Sequence, residues 1–363
     1  MWLPVTRSNT DSQREDDTQA PGGIGASIDW ALASKTGAKL APKPPSTSRY
    51  TADAIVAELA EASVRAEGPV RDTTGLADGL AVPQAQIVDR AGWIEAAAAS
   101  MKHLTGEADT EPSGLLGGKP AGLQAGAMLA FLSSAILGQY DPFTGENGTL
   151  LLVAPNIIAV ERALRVSPSD FRLWVCLHEV THRVQFSSAP WLGEYMRSNV
   201  ALLSDGVDEP VSEVASRLTA ALKNRKGSDK AEDAGIVGLL RATQPAQTRD
   251  AIDRLLVLGT LLEGHADHVM DAVGPAVVPS VAQIRSAFDG RRRRKQNPLQ
   301  RVVRALLGVD AKMAQYVRGK AFVDHVVGAV GMERFNTIWT DGDTLPLLPE
   351  IEDPDRWIAR VLG

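Results

Sequence analysis

A single cysteine, Cys176, stands among the 363 residues. The chain can therefore form no disulfide within itself, and a lone thiol fits a reducing compartment. No secretory leader is visible, because Met1 to Arg7 runs directly into the polar stretch Ser8 to Asp17 without an apolar centre. A strong membrane span is also missing. The most apolar long stretch, Ala121 to Tyr140, carries Gln124, Ser133 and Ser134 and reads as a buried helix. Positive charge is not in excess: 38 Lys and Arg stand against 44 Asp and Glu, a net charge of −6. That balance does not suggest general nucleic-acid binding. These shortages point to a cytoplasmic chain with no nucleic-acid partner and no membrane. No fixed-period repeat divides it.

What is present supports a real core. Apolar residues make up 44% of the chain, and the length suits one large domain or two ordinary ones. Residues 1–25 are polar with Gly and Pro and read as a disordered tail. Residues 26–140 read as a helical N-terminal region. Residues 141–363 read as the catalytic region, forming one compact unit with the preceding helices. Ala41 to Ser48 is a Pro- and Ser-rich loop. Helices are expected over 51–66, 91–104, 121–140, 210–224, 230–242, 247–273, 278–289, 298–307, 310–329 and 331–339. The best strand is Thr149 to Ala154, which would serve either as an edge for an extended peptide or as an ordinary buried strand. The expected class is mostly α with a small β-sheet. The run Arg291 to Lys295 reads as a solvated basic loop between helices, with an anion or acidic-partner site as the alternative.

Histidine is scarce, with six in the chain, and two of them form His178-Glu179-Val180-Thr181-His182. The segment Phe171 to Phe186 contains no Gly or Pro, and Leu173, Leu177, Val180 and Val184 recur at helical spacing. Ser167 to Asp170 supplies capping residues upstream. Residues four apart share a helix face, so both imidazoles reach one ion. Glu179 is turned about 100° from His178 and flanks the ion instead of binding it. A carboxylate beside a metal-bound water is the core of a zinc hydrolase. Cys176 lies about 200° from His178 on this helix, which argues against ligation and for a small buried hydrophobe.

A catalytic zinc usually takes three protein ligands and leaves a position for water. Two more histidines fall in a second cluster, Leu261 to Asp271, where Leu255, Leu258, Leu262, Ala266 and Val269 form an apolar helical stripe. Glu263 and Asp267 share a face. His265 lies about 200° from Glu263, so only one of the two reaches the ion. Glu263 is favoured, because Asp267 can then hydrogen-bond the far nitrogen of a ligand histidine. His265 reads first as a hydrogen-bonded packed histidine and second as the alternative ligand, and His268 reads either as a substrate contact or as a half-exposed structural histidine. Gly264 would let two helices approach closely.

The stretches that carry a family resemblance are Leu152 to Phe186, Pro190 to Leu192, Glu263 to Asp267, Gly274 to Val281, Lys312 to Tyr316 and Gly331 to Asn336. Together they resemble the actinobacterial zincin-like hydrolases, over roughly residues 26–363. The E-x-x-x-D spacing is similar to that of the gluzincin metallopeptidases, in which a Glu ligand on a second helix is followed four residues later by an acidic residue. Some family members are labelled as associated with deazaflavin-cofactor biosynthesis. The resemblance implies a metallopeptidase-like site in a largely helical domain, with both metal motifs intact.

The expected function is zinc-dependent hydrolysis of a peptide or related amide. His178, His182 and Glu263 would hold the metal and Glu179 would act as the base. Two other readings stay open. One is a non-catalytic, zinc-stabilised scaffold or binding protein, in which His265 or Asp267 closes the site. The other is a small-molecule amide hydrolase in a cofactor pathway, with the same site and a narrower pocket.

Overall fold

Four consecutive apolar residues, Leu150 to Val153, are buried on both faces of the strand they form. A continuous apolar run of this kind belongs in the middle of a sheet. In the computed structural model, which describes residues 27–105, 118–204, 245–293 and 309–363, Thr149–Val153 is the central strand β3 of a three-stranded sheet. Strand β1 (Gln86–Val88) pairs with it in parallel, with Ile87 opposite Leu152. Strand β2 (Gly138–Asp141) pairs antiparallel, with Gly138 opposite Leu152. Thr149–Val153 is thus the buried strand of the two expected options. Its backbone groups are taken on both sides, and β1 and β2 are the two edges.

The helix expected over 121–140 ends early. Helix α4 is Lys119–Leu132. Beyond it the Asn156 side-chain amide donates to the Ser133 and Ile136 carbonyls, both at 2.6 Å. Those bonds bend the chain into β2, where pairing with β3 replaces helical bonding. The other early helices are α1 (Trp30–Leu40), α2 (Arg49–Thr74) and α3 (Arg90–Leu104). Asp29, Ser48 and Asp89 cap them by accepting backbone N–H groups. Helix α2 runs well past the expected Ala66 and stops at Gly75, whose φ of 64° is a left-handed cap.

Helices α5 (Ala154–Leu164), α6 (Pro168–Ser188) and α7 (Trp191–Ser204) follow the sheet. Then come α8 (Ala246–Val273), α9 (Val281–Arg293) and α10 (Val309–Phe335), the last kinked at Gly331 with φ 82°. Short turns α11 (Leu348–Glu352) and α12 (Pro354–Trp357) follow, and a last turn spans Ile358–Leu362. Helix α6 is buried nearly all round, between α2 on one side and α8 on the other. Helix α8 in turn packs on α10. The close approach expected of Gly264 occurs there: a Cβ on Gly264 would sit 2.1 Å from the Gly319 carbonyl carbon. Leu59, Leu152, Phe171 and Leu177 anchor the core around α6. Leu261, Phe322, Phe335 and Trp357 anchor a second core between α8, α10 and the C-terminal turns.

The fold is mostly helical with a small mixed sheet, as the periodicity implies. The expected helices at 210–224, 230–242 and 298–307, and the N-terminal tail, lie outside the described residues. Arg291 to Arg293 form the end of α9 instead of a loop, and the rest of the basic run is outside the described residues. Among the described residues, no helix is long and apolar enough to cross a membrane.

Candidate metal centre

Helix α6 begins with Pro168 at its first turn, where a missing N–H costs nothing. The Ser167 side chain makes no capping bond. Asp170 ties the helix start to the start of α9, accepting the Ser280 N–H at 2.9 Å. Two turns on, His178 and His182 project from one face, their rings edge-on with centroids 4.7 Å apart. Glu263 enters from the facing side of α8. Its Oε2 lies 3.3 Å from His178 Nε2 and 3.7 Å from His182 Nε2, and the two Nε2 atoms are 3.2 Å apart. The three potential ligand atoms all lie within 4.8 Å of one another. Among the described residues, no other group of His, Cys, Asp and Glu gathers in this way.

The donor set fits a divalent cation. Glu263 Oε2 is buried with no hydrogen-bond partner of acceptable geometry. Two imidazole nitrogens face the same point. Buried polar atoms normally find partners, and two nitrogens plus one carboxylate oxygen are what a three-ligand zinc site uses.

Electrostatics follow the same geometry. Burial works against a charged His182, but the neighbouring Glu263 carboxylate overcomes it and holds its pKa up at about 9. Burial likewise opposes the Glu263 carboxylate, and the two histidines outweigh it, so Glu263 stays ionised well below the usual range. Burial raises the Glu179 carboxyl; His178 and His182 pull it back, while the Glu263 charge adds to the rise. Glu179 is buried against the sheet. A Cβ on Gly138 would sit 2.6 Å from Glu179 Cγ, so only a glycine lets the edge strand β2 lie against this carboxyl. A buried carboxyl with a raised pKa beside a cation site is suited to moving a proton.

The remaining expected site residues are not gathered here. Asp267 reaches neither imidazole. It accepts from Arg285 Nη1 at 2.9 Å, and the Arg285 guanidinium lies over the Trp174 ring. His265 is fully buried on the opposite side of α8, packed on Phe335 and Trp339. Burial, followed by the nearby His268 and His182, pushes its pKa down to about 3, so it is neutral. His268 turns toward α10, where its Nδ1 lies 2.7 Å from Asp324 Oδ1. Cys176 is buried, and burial raises its thiol pKa, as befits a packed hydrophobe.

The far nitrogens of the histidines meet residues that sequence reasoning passed over. His178 Nδ1 faces the Met270 sulfur at 3.3 Å, and His182 Nδ1 lies 3.0 Å from Gln185 Oε1. The signal for Gln185 was its position three residues after His182, on the same helix face. Nothing in the sequence pattern pointed to Met270 or Gly138.

Comparison with known proteins bears on this geometry. The family profile of the zincin-like metallopeptidases matches residues 28–358. A solved structure from Chloroflexus aurantiacus, described as "a putative hydrolase with a novel fold", is similar at 27% sequence identity and a TM-score of 0.61. The match covers 92% of this chain and 98% of that one. No curated protein matches the chain.

Proposed function

The chain belongs to the zincin-like metallopeptidase family, and from that premise we propose that it is a zinc-dependent hydrolase of peptide or related amide bonds. The observation that carries the reading is the meeting of His178 Nε2, His182 Nε2 and an unpartnered Glu263 Oε2 beside the buried Glu179. His178, His182 and Glu263 hold the ion. When bound, zinc acidifies water and polarises a scissile carbonyl. Glu179 takes the proton of the attacking water and delivers it to the leaving nitrogen. Edge strand β2, whose Gly138 abuts Glu179, offers backbone groups to an extended substrate chain.

A structural zinc would be closed by a fourth protein ligand. His265 is engaged with Gln185 and Asp267 with Arg285, which supports an open, catalytic position over a scaffold role. The test pairs zinc stoichiometry with turnover on a peptide and small-amide library. Wild type should bind one zinc, and His178→Ala should lose it. Glu179→Gln should keep zinc and lose turnover by about 10²- to 10⁴-fold. One-to-one zinc that survives His178→Ala would overturn the ligand assignment, and full activity in Glu179→Gln would remove its role as base.

A further inference from the structure

The two imidazoles of the metal centre are held from behind in different ways. His178 Nδ1 faces the Met270 thioether, a weak acceptor. His182 Nδ1 faces the side-chain amide of Gln185, which is fully buried. That amide has a definite direction. Its nitrogen lies 3.0 Å from the Leu262 carbonyl, an atom that only accepts. The NH2 group therefore points to Leu262, and Oε1 points to His182. The same NH2 reaches His265 Nδ1 at 2.9 Å, which must carry a lone pair to receive it. His265 is wedged against Phe335 and Trp339, and its Nε2 has no hydrogen-bond partner among the described residues. A wholly buried imidazole with one orphaned nitrogen is costly, and its retention calls for a role for the other nitrogen.

We infer that Gln185 is a positioning residue for the metal, anchored by His265, which obliges His182 to carry its proton on Nδ1 and aims the Nε2 lone pair at the ion. The inference rests on the reading of His178, His182 and Glu263 as ligands. His265 thereby serves the site from behind instead of binding the ion. Leu262 immediately precedes Glu263, so the same amide also clamps α6 to α8 at the point where the ligands of the two helices must meet. Partners of this kind orient a ligand histidine, and their loss typically weakens metal binding by about 10- to 100-fold.

The test uses the full chain with Gln185→Met, which keeps length and apolar volume, His265→Phe, which keeps the packed ring, and the double variant. Zinc affinity is measured by competition with a chromogenic chelator, folding by thermal melting, and the His182 ring by ¹⁵N–¹H spectra of the zinc-loaded protein. Gln185→Met is expected to weaken zinc about 10- to 100-fold and to lose a slowly exchanging His182 Nδ1–H seen in wild type. His265→Phe should cost less. The double variant should lose no more than Gln185→Met, because His265 acts only through Gln185. Wild-type zinc affinity in Gln185→Met, losses that multiply in the double variant, or zinc bound through His182 Nδ1 would each overturn the inference. Should Gln185→Met not fold, the wild-type spectrum and His265→Phe decide: an unprotected Nδ1–H, or zinc affinity in His265→Phe reduced beyond 100-fold, overturns it. Zinc that persists in His178→Ala strikes the ligand assignment itself, whereas zinc lost in His178→Ala but untouched by Gln185→Met strikes only this inference.

Discussion

Helix α6 buries ionisable side chains on two faces, and the two faces are closed differently. Toward α2 and α5, each cation meets an anion. Arg172 bonds Glu161 at 2.8 Å and also pairs with Glu58, and Arg183 bonds Glu67, which accepts from Arg71 as well. Toward α8, two imidazoles and a carboxylate converge, and Glu263 Oε2 makes no hydrogen bond of acceptable geometry. Arg183 follows His182 directly in the chain, yet one side chain belongs to each arrangement. Charges closed within the protein hold helices together. Two imidazole nitrogens and a carboxylate oxygen gathered at one point can instead be taken up by a cation, and the proposed metal site lies on that second face.

The comparison can be broken most forcefully on the α2 side. Glu67→Gln leaves the Arg183 guanidinium buried and unpaired, and should cost about 3–5 kcal/mol in urea unfolding. Zinc affinity should stay within about twofold of wild type, since Glu67 bonds Arg183 and Arg71 on the structural face and neither imidazole nor Glu263. A large loss of zinc in this variant would merge the two faces into one system.

A smaller effect is expected where the sheet meets the functional face. Gly138→Ala forces the Glu179 carboxyl aside, so kcat should fall by up to about 100-fold. Zinc stoichiometry and melting temperature should barely change. A drop in zinc content would mean that Glu179 belongs with the ligands.

The pH dependence comes next in size. His182 titrates at about 9 in the metal-free protein because Glu263 stabilises its charged form. Zinc needs the neutral ring and must displace that proton. Zinc affinity should therefore rise with pH, by about tenfold per unit below pH 9, and flatten above it. Calorimetry in buffers of different ionisation enthalpy should find close to one proton released per zinc near neutral pH. A pH-independent affinity between about pH 7 and pH 9 would show that Glu263 does not hold His182 charged. The smallest effect belongs to Met270→Leu, which should change zinc affinity by about threefold or less, because a thioether is a weak partner for an imidazole. A larger loss would erase the difference between the two histidines.

Much of the candidate site could be read along the chain. His178, Glu179 and His182 are related by helical spacing alone, and the apolar positions at Leu173, Leu177, Val180 and Val184 are all buried. Gly264 was legible as a close-approach residue and meets Gly319. Helix α8 spans Ala246–Val273, within a residue of the expected start. Other features depended on partners remote in sequence. The run 121–140 has helical composition throughout, but Asn156 and β3 capture its last part for the sheet. Asp267 has the spacing of a residue behind a ligand, but Arg285 reaches it from α9. Gln185 could be placed on the correct face, but not connected to Leu262 and His265 some eighty residues on.

By itself, the sequence determined which helices can exist and which residues share a face, because helical periodicity is local and repeats every 3.6 residues. It thereby set the two imidazoles on one side of α6 and Glu263 and His265 on opposite sides of α8. Only the tertiary structure decided which of those opposite sides faces α6, and that His265 is packed against Phe335 and Trp339 while Glu263 meets the histidines. The reason is that rotation of one helix against another is settled by packing and by satisfying buried polar atoms, and both depend on the whole set of neighbours at once.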